Sequence, residues 1–270
     1  MKPTTKIFVA GHRGMVGSAI VRKLTELGYT NIITIAKIKC NLIDQLEVDN
    51  FFNKQKPDYV FLAAAKVGGI KANNEMKGDF IYENIMIQSN IIKSSKDYNV
   101  KKLIFLGSSC IYPKMSPQPI KEEYLLTGPL EETNSAYAIA KIAGIELIKS
   151  FRKEYGRKWI SLMPTNLYGP RDNFELQGSH VLPAFIRRFV EAQAEGRAKE
   201  TLWGTGSPMR EFLHVDDLAS AVVLAGQRYD SARLHRVLSA CDHTWVGSSG
   251  RRDHPDARRK KPLHCRHGKG

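Results

Sequence analysis

Along the first 170 residues, short apolar runs alternate with longer segments in which apolar residues recur every three or four positions. The short runs predict buried strands, and the longer periodic segments predict amphipathic helices. A helix is predicted directly after the first strand; the other predicted helices cover residues 45–55, 79–98 and 136–156, and the predicted strands cover residues 7–10, 31–36, 58–65, 101–109 and 159–169. This alternation predicts an α/β fold with a doubly wound parallel sheet, the Rossmann arrangement.

The first predicted strand runs directly into three glycines, Gly11, Gly14 and Gly17, in the spacing G-x-x-G-x-x-G. The spacing alone is a weak signal, because a purely structural turn can use the same residues. Here the glycines lie between a strand and a helix, where they permit a tight turn and let the backbone approach a pyrophosphate at the helix N-terminus. The stretch therefore favours a dinucleotide site over a simple turn.

The residues after the second predicted strand bear on the choice of dinucleotide. In folds of this type an acidic residue about 20 positions beyond the last glycine usually binds the ribose 2′-hydroxyl of NAD. This position is Lys37, and Lys39 and Arg13 are basic as well. These charges favour the 2′-phosphate of NADP(H), although solvated surface charges are the competing interpretation.

The alternation of strands and helices weakens beyond residue 170. A helix is predicted over 180–196, and a strand-like start followed by a helix is predicted over 209–225. We therefore divide the chain into an NADP-binding Rossmann domain (1–170), a substrate-binding lobe that returns in part to the first domain (171–226), and a tail (227–270). The tail shows neither strand alternation nor a sustained helical stripe, which predicts a disordered or non-native segment.

The charge of the chain is concentrated in that tail. The formal net charge is +14, and residues 227–270 hold eleven Lys or Arg and four Asp, so the tail carries half of the excess. A basic nucleic-acid-binding arm is one interpretation, but the distribution leads us to expect no nucleic acid partner. The polar start "MKPTTK" and the lack of a transmembrane-length apolar run predict a cytoplasmic protein with no membrane partner. The four cysteines lack paired metal-ligand spacing, so no metal site is predicted.

The segment "SAYAIAK" carries the strongest chemical signal. It places Tyr137 and Lys141 four residues apart on one helix face, and Ser108 ends a strand that should face them. A free tyrosine titrates near pH ~10, so we expect the ammonium group to bring its pKa towards the working range. A lone Tyr-x-x-x-Lys is more often a surface pair, but beside a dinucleotide loop the catalytic interpretation is favoured.

Several segments together resemble the extended short-chain dehydrogenase/reductases, and more closely the GDP-fucose synthase family. They are "AGHRGMVGSAI", "AAAKVGGIKANN", "FLGSSCIYP", "YAIAKIAGIEL", "MPTNLYGPRDNF" and "WGTGSPMREFLHVDDLA", within residues 6 to about 225. The resemblance implies NADPH-dependent epimerisation at C3 and C5, and reduction at C4, of GDP-4-keto-6-deoxy-D-mannose to GDP-L-fucose. It also implies a homodimer in which long helices pair.

The resemblance implies roles for five catalytic side chains. Ser108, Tyr137 and Lys141 match the reductase triad, in which the tyrosine gives a proton to the C4 oxygen. Cys110 and His180 match the pair that moves protons at C3 and C5, where the 4-keto group acidifies the carbon atoms. Without the resemblance, a buried packing cysteine and a helix-cap histidine are the ordinary interpretations.

The resemblance also implies two sets of binding residues. Those for the nucleotide sugar are Arg188, Trp203 and Arg210, for which a solvated helix face and lobe packing are the alternatives. Those for NADP(H) are Gly11, Arg13, Gly14, Met15, Val16, Gly17, Lys37, Asn41, Leu42, Leu106, Gly107, Ser108, Lys141, Pro164, Thr165, Asn166, Leu167 and His180.

The resemblance to the family ends at about Gly226, which leaves the predicted substrate lobe incomplete. We expect this difference from the family to reduce turnover more than it reduces NADPH binding. Two alternatives to the synthase therefore stay open: a catalytically impaired nucleotide-binding fragment, and an extended short-chain reductase or epimerase acting on another nucleotide sugar.

Overall fold

The computed structural model describes residues 1–175, 178–201, 209–228 and 235–238, the last of these as backbone only. The strands are β1 (Ile7–Ala10), β2 (Ile32–Ile33), β3 (Tyr59–Leu62), β4 (Lys102–Leu106), β5 (Ile160–Pro164), β6 (Asn166–Tyr168), β7 (Phe212–His214) and β8 (His235–Leu238). The helices are α1 (Met15–Glu26), α2 (Gln45–Gln55), α3 (Ile70–Glu75), α4 (Lys77–Asp97), α5 (Ser135–Tyr155), α6 (Val181–Ala194) and α7 (Val215–Arg228). Short 3-10 helices occur at Ser109–Ile111, Glu122–Tyr124 and Glu132–Asn134.

Six strands form one parallel sheet in the order β2-β1-β3-β4-β5-β8, and β6 pairs with β7 in a separate two-stranded parallel sheet. The predicted doubly wound α/β fold is therefore confirmed. Because the six strands are parallel, their carboxyl ends lie at one edge, where ligands bind in folds of this class.

The core has two parts because alternate residues of each strand point to opposite faces of the sheet. On one face Phe8, Val60 and Phe105 pack with apolar residues of α2, α4 and α5. On the other face Val9 and Ile104 pack with apolar residues of α1 and α7. None of the described helices is both long enough and apolar enough to cross a lipid bilayer.

The structure differs from the sequence-based elements in four places. The second strand spans only Ile32–Ile33, and the predicted strand 159–169 is divided into β5 and β6. Helix α3 was not predicted. Strand β8, at 235–238, lies within the tail for which no strand pattern was found, and it pairs with β5 at the edge of the main sheet.

Candidate active site

The glycine loop between β1 and α1 needs its glycines for two different reasons. Gly11 has φ +85°, a left-handed conformation that side chains disfavour. At Gly17 the restriction is space, because a Cβ atom there would lie less than 2.5 Å from the carbonyl oxygen of Gly11. Gly14, the N-cap of α1, has room for a side chain, because a Cβ atom there would lie 3.5 Å from the same oxygen. The loop thus brings α1 close against β1 while leaving its N-terminus accessible.

The first turn of α1 leaves backbone N–H groups without intrahelical partners, which suits an anion. Arg13 is exposed beside it. The pKa of His12 is lowered, mainly by burial and also by the charges of Arg13 and Arg171. Arg171, in the segment "YGPRDNF", therefore adds to the positive potential around the glycine loop. It was missed in the sequence analysis because it is 160 residues away in the chain, and its left-handed φ of +69° is a feature only of the structure.

The loop after β2 carries the predicted site for the adenosine end. Lys37 and Lys39 are exposed and make no ion pair with any residue that the structure describes. The Oδ1 atom of Asn41 accepts a hydrogen bond from the backbone N–H of Ile43 at 3.3 Å. The carbonyl oxygen of Leu42 accepts one from the Asn90 side chain at 3.0 Å, so the loop is tied to α4.

Ser108 follows β4 and lies beside two other predicted catalytic residues. Its Oγ atom accepts a hydrogen bond from the backbone N–H of Cys110 at 3.3 Å, which caps the 3-10 helix Ser109–Ile111. Ser108 also hydrogen-bonds the side chain of Tyr137 on α5. Cys110 is half-buried and lies close enough that a thiolate there raises the pKa of Tyr137. The structure therefore brings Ser108, Cys110 and Tyr137 together.

Lys141 lies one helical turn after Tyr137 and is 4% exposed. Its Nζ atom donates a hydrogen bond to the carbonyl oxygen of Leu106, the last residue of β4, at 2.8 Å. The same atom lies 5.7 Å from the centre of the Tyr137 ring. Burial lowers the pKa of Lys141 to about 8, so the group can gain and lose a proton near neutral pH.

The expected lowering of the Tyr137 pKa by Lys141 is wrong for this structure. Burial raises the pKa of Tyr137, the charge of Cys110 raises it further, and the Ser108 hydrogen bond opposes both effects only in part. The reason is that Lys141 is directed at Leu106 and is itself desolvated. Tyr137 is therefore a neutral phenol, which suits a proton donor.

The remaining predicted cofactor residues line the carboxyl ends of β4 and β5. A Cβ atom at Gly107 would collide with the Met163 side chain, so the two strand ends lie close together. After Pro164, the side chains of Thr165 and Asn166 both donate to the carbonyl oxygen of Glu211, at 3.1 and 3.0 Å. These contacts join β6, which includes Leu167, to the segment that leads into β7.

His180 is exposed at the N-cap of α6, at the end of a loop that begins after β6. Its charge lowers the pKa of Asp172, although burial dominates and raises that pKa overall. The loop contacts the segment after β3, where the backbone N–H of Gly69 donates to the carbonyl oxygen of Gly178 at 2.9 Å. That segment is adjacent to Phe80, whose ring centre lies 6.4 Å from the Tyr137 ring centre. The pairing of His180 with Cys110 stays a prediction.

The predicted substrate-binding residues are more dispersed. The guanidinium group of Arg188 pairs with Glu200 at 2.7 Å and also donates to the carbonyl oxygen of Thr201 at 2.8 Å. Arg210 is exposed and donates to the carbonyl oxygen of Met209. Trp203 lies outside the described residues. In the described part of the chain, no group of three or more His, Cys, Asp and Glu side chains could hold a metal ion.

A parallel sheet with a glycine loop after β1 is typical of the dinucleotide-binding proteins of the Rossmann class. The Ser-Tyr-Lys group at β4 and α5 adds a possible proton donor to that fold. The chain belongs to the NAD dependent epimerase/dehydratase family, whose model matches residues 7–241. The match includes β8 and extends beyond residue 226, the position at which the sequence analysis placed the departure.

Within this family the chain is similar to GDP-L-fucose synthases. It is 56% identical over 245 residues to GDP-L-fucose synthase 1 of Arabidopsis thaliana, covering 91% of this chain and 73% of that protein. It is 51% identical over 243 residues to GDP-L-fucose synthase of Escherichia coli (strain K12), covering 90% of this chain and 76% of that protein. The solved structure of a GDP-L-fucose synthetase from Naegleria fowleri bound to NADP aligns with a TM-score of 0.79 at 30% identity, covering 90% of this chain and 79% of that one.

Proposed function

We propose that the chain converts GDP-4-keto-6-deoxy-D-mannose to GDP-L-fucose by epimerisation at C3 and C5 followed by reduction at C4. The observation that carries the proposal is the contact group of Ser108, Cys110 and Tyr137, with Lys141 one turn away. It combines a proton donor for a carbonyl oxygen with a thiol able to exchange protons at the adjacent carbon. The identity to GDP-L-fucose synthases over nine tenths of the chain selects the substrate.

The described residues fit NADP(H) as the cofactor. The open N-terminus of α1 and the positive charges of Arg13 and Arg171 suit the pyrophosphate. Lys37 and Lys39 suit the 2′-phosphate, because no described carboxylate pairs with either. When bound, NADPH supplies the hydride that is added to C4.

Each catalytic side chain then has a defined task in the proposal. The neutral phenol of Tyr137 gives its proton to the C4 oxygen as that oxygen becomes an alkoxide, and Ser108 orients the oxygen. Lys141, with a pKa of about 8, would hold the nicotinamide ribose. Before reduction, Cys110 and His180 remove a proton from C3 and C5 and return one to the opposite face.

The reaction is tested by following NADPH oxidation after adding GDP-4-keto-6-deoxy-D-mannose to the purified chain. We expect wild-type turnover and a fall of about 10² to 10⁴-fold in Tyr137→Phe, because that variant loses the donated proton. Tyr155→Phe, at an exposed tyrosine at the end of α5, is the matched control and should keep turnover. If the wild type oxidises no NADPH, or if Tyr137→Phe turns over like the control, the proposal is wrong.

A catalytically impaired nucleotide-binding chain is the second candidate, and helix α6 favours it. Ile186, Phe189 and Val190 are 46–61% exposed on this helix, although they are apolar. Arg188, which the resemblance assigns to the nucleotide sugar, is already paired with Glu200. NADPH binding without turnover is the result expected for this candidate.

We further propose that the chain forms a homodimer in the cytoplasm. Helices α4 and α5 pack on each other within the chain, and each carries an exposed apolar side chain, Tyr82 and Ile139. Such paired long helices suit a bundle formed by two subunits. Sedimentation equilibrium tests the dimer, which a monomeric mass at micromolar concentration would exclude.

A further inference from the structure

We propose that the contact between Gly69 and the backbone of Ser179 positions His180, and that glycine at 69 is therefore required for proton exchange at C3 and C5. The inference rests on the proposed function for the identity of the exchanging carbon atoms. Gly69 belongs to the segment after β3 and Ser179 to the loop before α6, so the contact joins the Rossmann domain to the loop that carries His180.

Gly69 is needed for space and not for backbone conformation. Its φ of −66° and ψ of 179° are accessible to any residue. A Cβ atom at this position, however, would lie less than 2.5 Å from the carbonyl oxygen of Ser179 and 3.1 Å from its carbonyl carbon. Backbone atoms cannot rotate away as a side chain can, so alanine at 69 requires the two segments to separate by about 1 Å.

The displacement would be transmitted to His180 because the loop before α6 is internally bonded. The carbonyl oxygen of Glu175 accepts from the N–H groups of Gly178 and Ser179, at 3.3 and 2.9 Å. Asn173 Oδ1 accepts from the Glu175 N–H at 2.9 Å. His180 follows directly, and its carbonyl oxygen accepts from Ala184 N–H in the first turn of α6.

The opposite side of the contact is fixed relative to Tyr137. The buried side chain of Asn84 accepts from the N–H of Lys66 at 2.9 Å and donates to the Lys66 carbonyl oxygen at 3.0 Å, which ties the segment after β3 to α4. It also donates to the carbonyl oxygen of Phe80, whose ring lies against Tyr137. The segment that contains Gly69 therefore contacts both the loop that carries His180 and the residues beside Tyr137. It sets the position of one group relative to the other.

Gly69→Ala tests the proposal, with Gly78→Ala as the matched control. Gly78 lies in the first turn of α4, and its Cβ atom would meet nothing within 4 Å. The first measurement is deuterium incorporation at C3 and C5 of the keto sugar in D2O without NADPH. A misplacement of about 1 Å at a catalytic group can cost about 100-fold. We expect a loss of that order in Gly69→Ala, a much smaller loss of NADPH affinity because His180 is only one of the residues expected to bind the cofactor, and no loss of either in Gly78→Ala.

Asn173→Ala weakens the loop before α6 without adding an atom, because it removes the acceptor for the Glu175 N–H. It should also slow deuterium incorporation much more than it weakens NADPH binding, and it replaces Gly69→Ala if that variant does not fold. Equal losses of deuterium incorporation and NADPH binding would indicate general disruption and would overturn the proposal. Wild-type deuterium incorporation in both variants would overturn it as well.

Amide hydrogen exchange tests the contact without any substrate. Peptides covering residues 178–184 should lose protection in Gly69→Ala and keep it in Gly78→Ala. If the wild type incorporates no deuterium into the sugar, the proposed function fails, and the exchange measurement still decides whether Gly69 holds the loop. Unchanged protection in a folded Gly69→Ala protein would refute the positional role.

Discussion

The Nζ atom of Lys141 donates to the carbonyl oxygen of Leu106 at 2.8 Å, so helix α5 is tied directly to the last residue of β4. The tie fixes a cation in a nearly dry environment, where its pKa falls to about 8. The lowered pKa means that the folded environment destabilises the charged form of this side chain.

That environment predicts a pH dependence of stability. Between about pH 8 and pH 10 the unfolded chain holds a proton on Lys141 that the folded chain has lost, so the contribution of this residue to the free energy of unfolding rises with pH. The full effect is about 3 kcal/mol for a shift of this size. Urea unfolding at pH 7 and pH 9.5 should show about 2 kcal/mol of this rise in the wild type relative to Lys141→Met. Identical pH slopes in the two proteins would contradict the prediction.

The glycine loop predicts contrasting effects for two alanine substitutions. Gly17→Ala forces a Cβ atom against the Gly11 carbonyl and should destabilise the fold by about 1–3 kcal/mol, with at least a tenfold loss of NADPH affinity. Gly14→Ala has room for its methyl group and should cost less than about 1 kcal/mol. NADPH fluorescence titration and thermal unfolding measure both quantities. Similar affinities in the two variants would show that α1 can move away from β1 at no cost.

The packing of α4 on α5 predicts a core defect at Gly144. A Cβ atom there would lie 2.6 Å from Cζ of Phe105 and 2.8 Å from Oε1 of Gln88. Gly144→Ala should therefore lower the free energy of unfolding by about 1–3 kcal/mol. Gly78→Ala, also a helical glycine but in open space, should be neutral or slightly stabilising. A stabilised Gly144→Ala protein would mean that the helices separate without loss of contacts.

Much of the fold could be predicted because its signals are local. Helix α2 was predicted at its observed bounds, since Asp44 caps it and apolar residues repeat at helical spacing. The i, i+4 spacing of Tyr137 and Lys141 is a property of the helix alone. Strand β2 was predicted too long because the apolar residues after Ile33 extend into a loop that packs on α2 and α4.

The parts that could not be predicted depend on contacts between distant segments. Lys141 faces Leu106 and not the Tyr137 hydroxyl, and no spacing in the sequence reveals which acceptor a buried ammonium group finds. The restriction at Gly69 comes from a carbonyl group 110 positions later in the chain. Strand β8 has only four residues, with two polar residues followed by two apolar ones, so the alternation that marks a strand is missing.

Strand β8 has a consequence for how the protein is made. In the described part of the sheet it is the neighbour of β5, yet it is synthesised about 70 residues after β5 ends. At a translation rate of about 5–20 residues per second, the edge of β5 stays without its β8 partner for several seconds during synthesis. During that interval an unpaired parallel strand edge is available to other chains, so nascent protein should depend on chaperones more than its finished fold suggests.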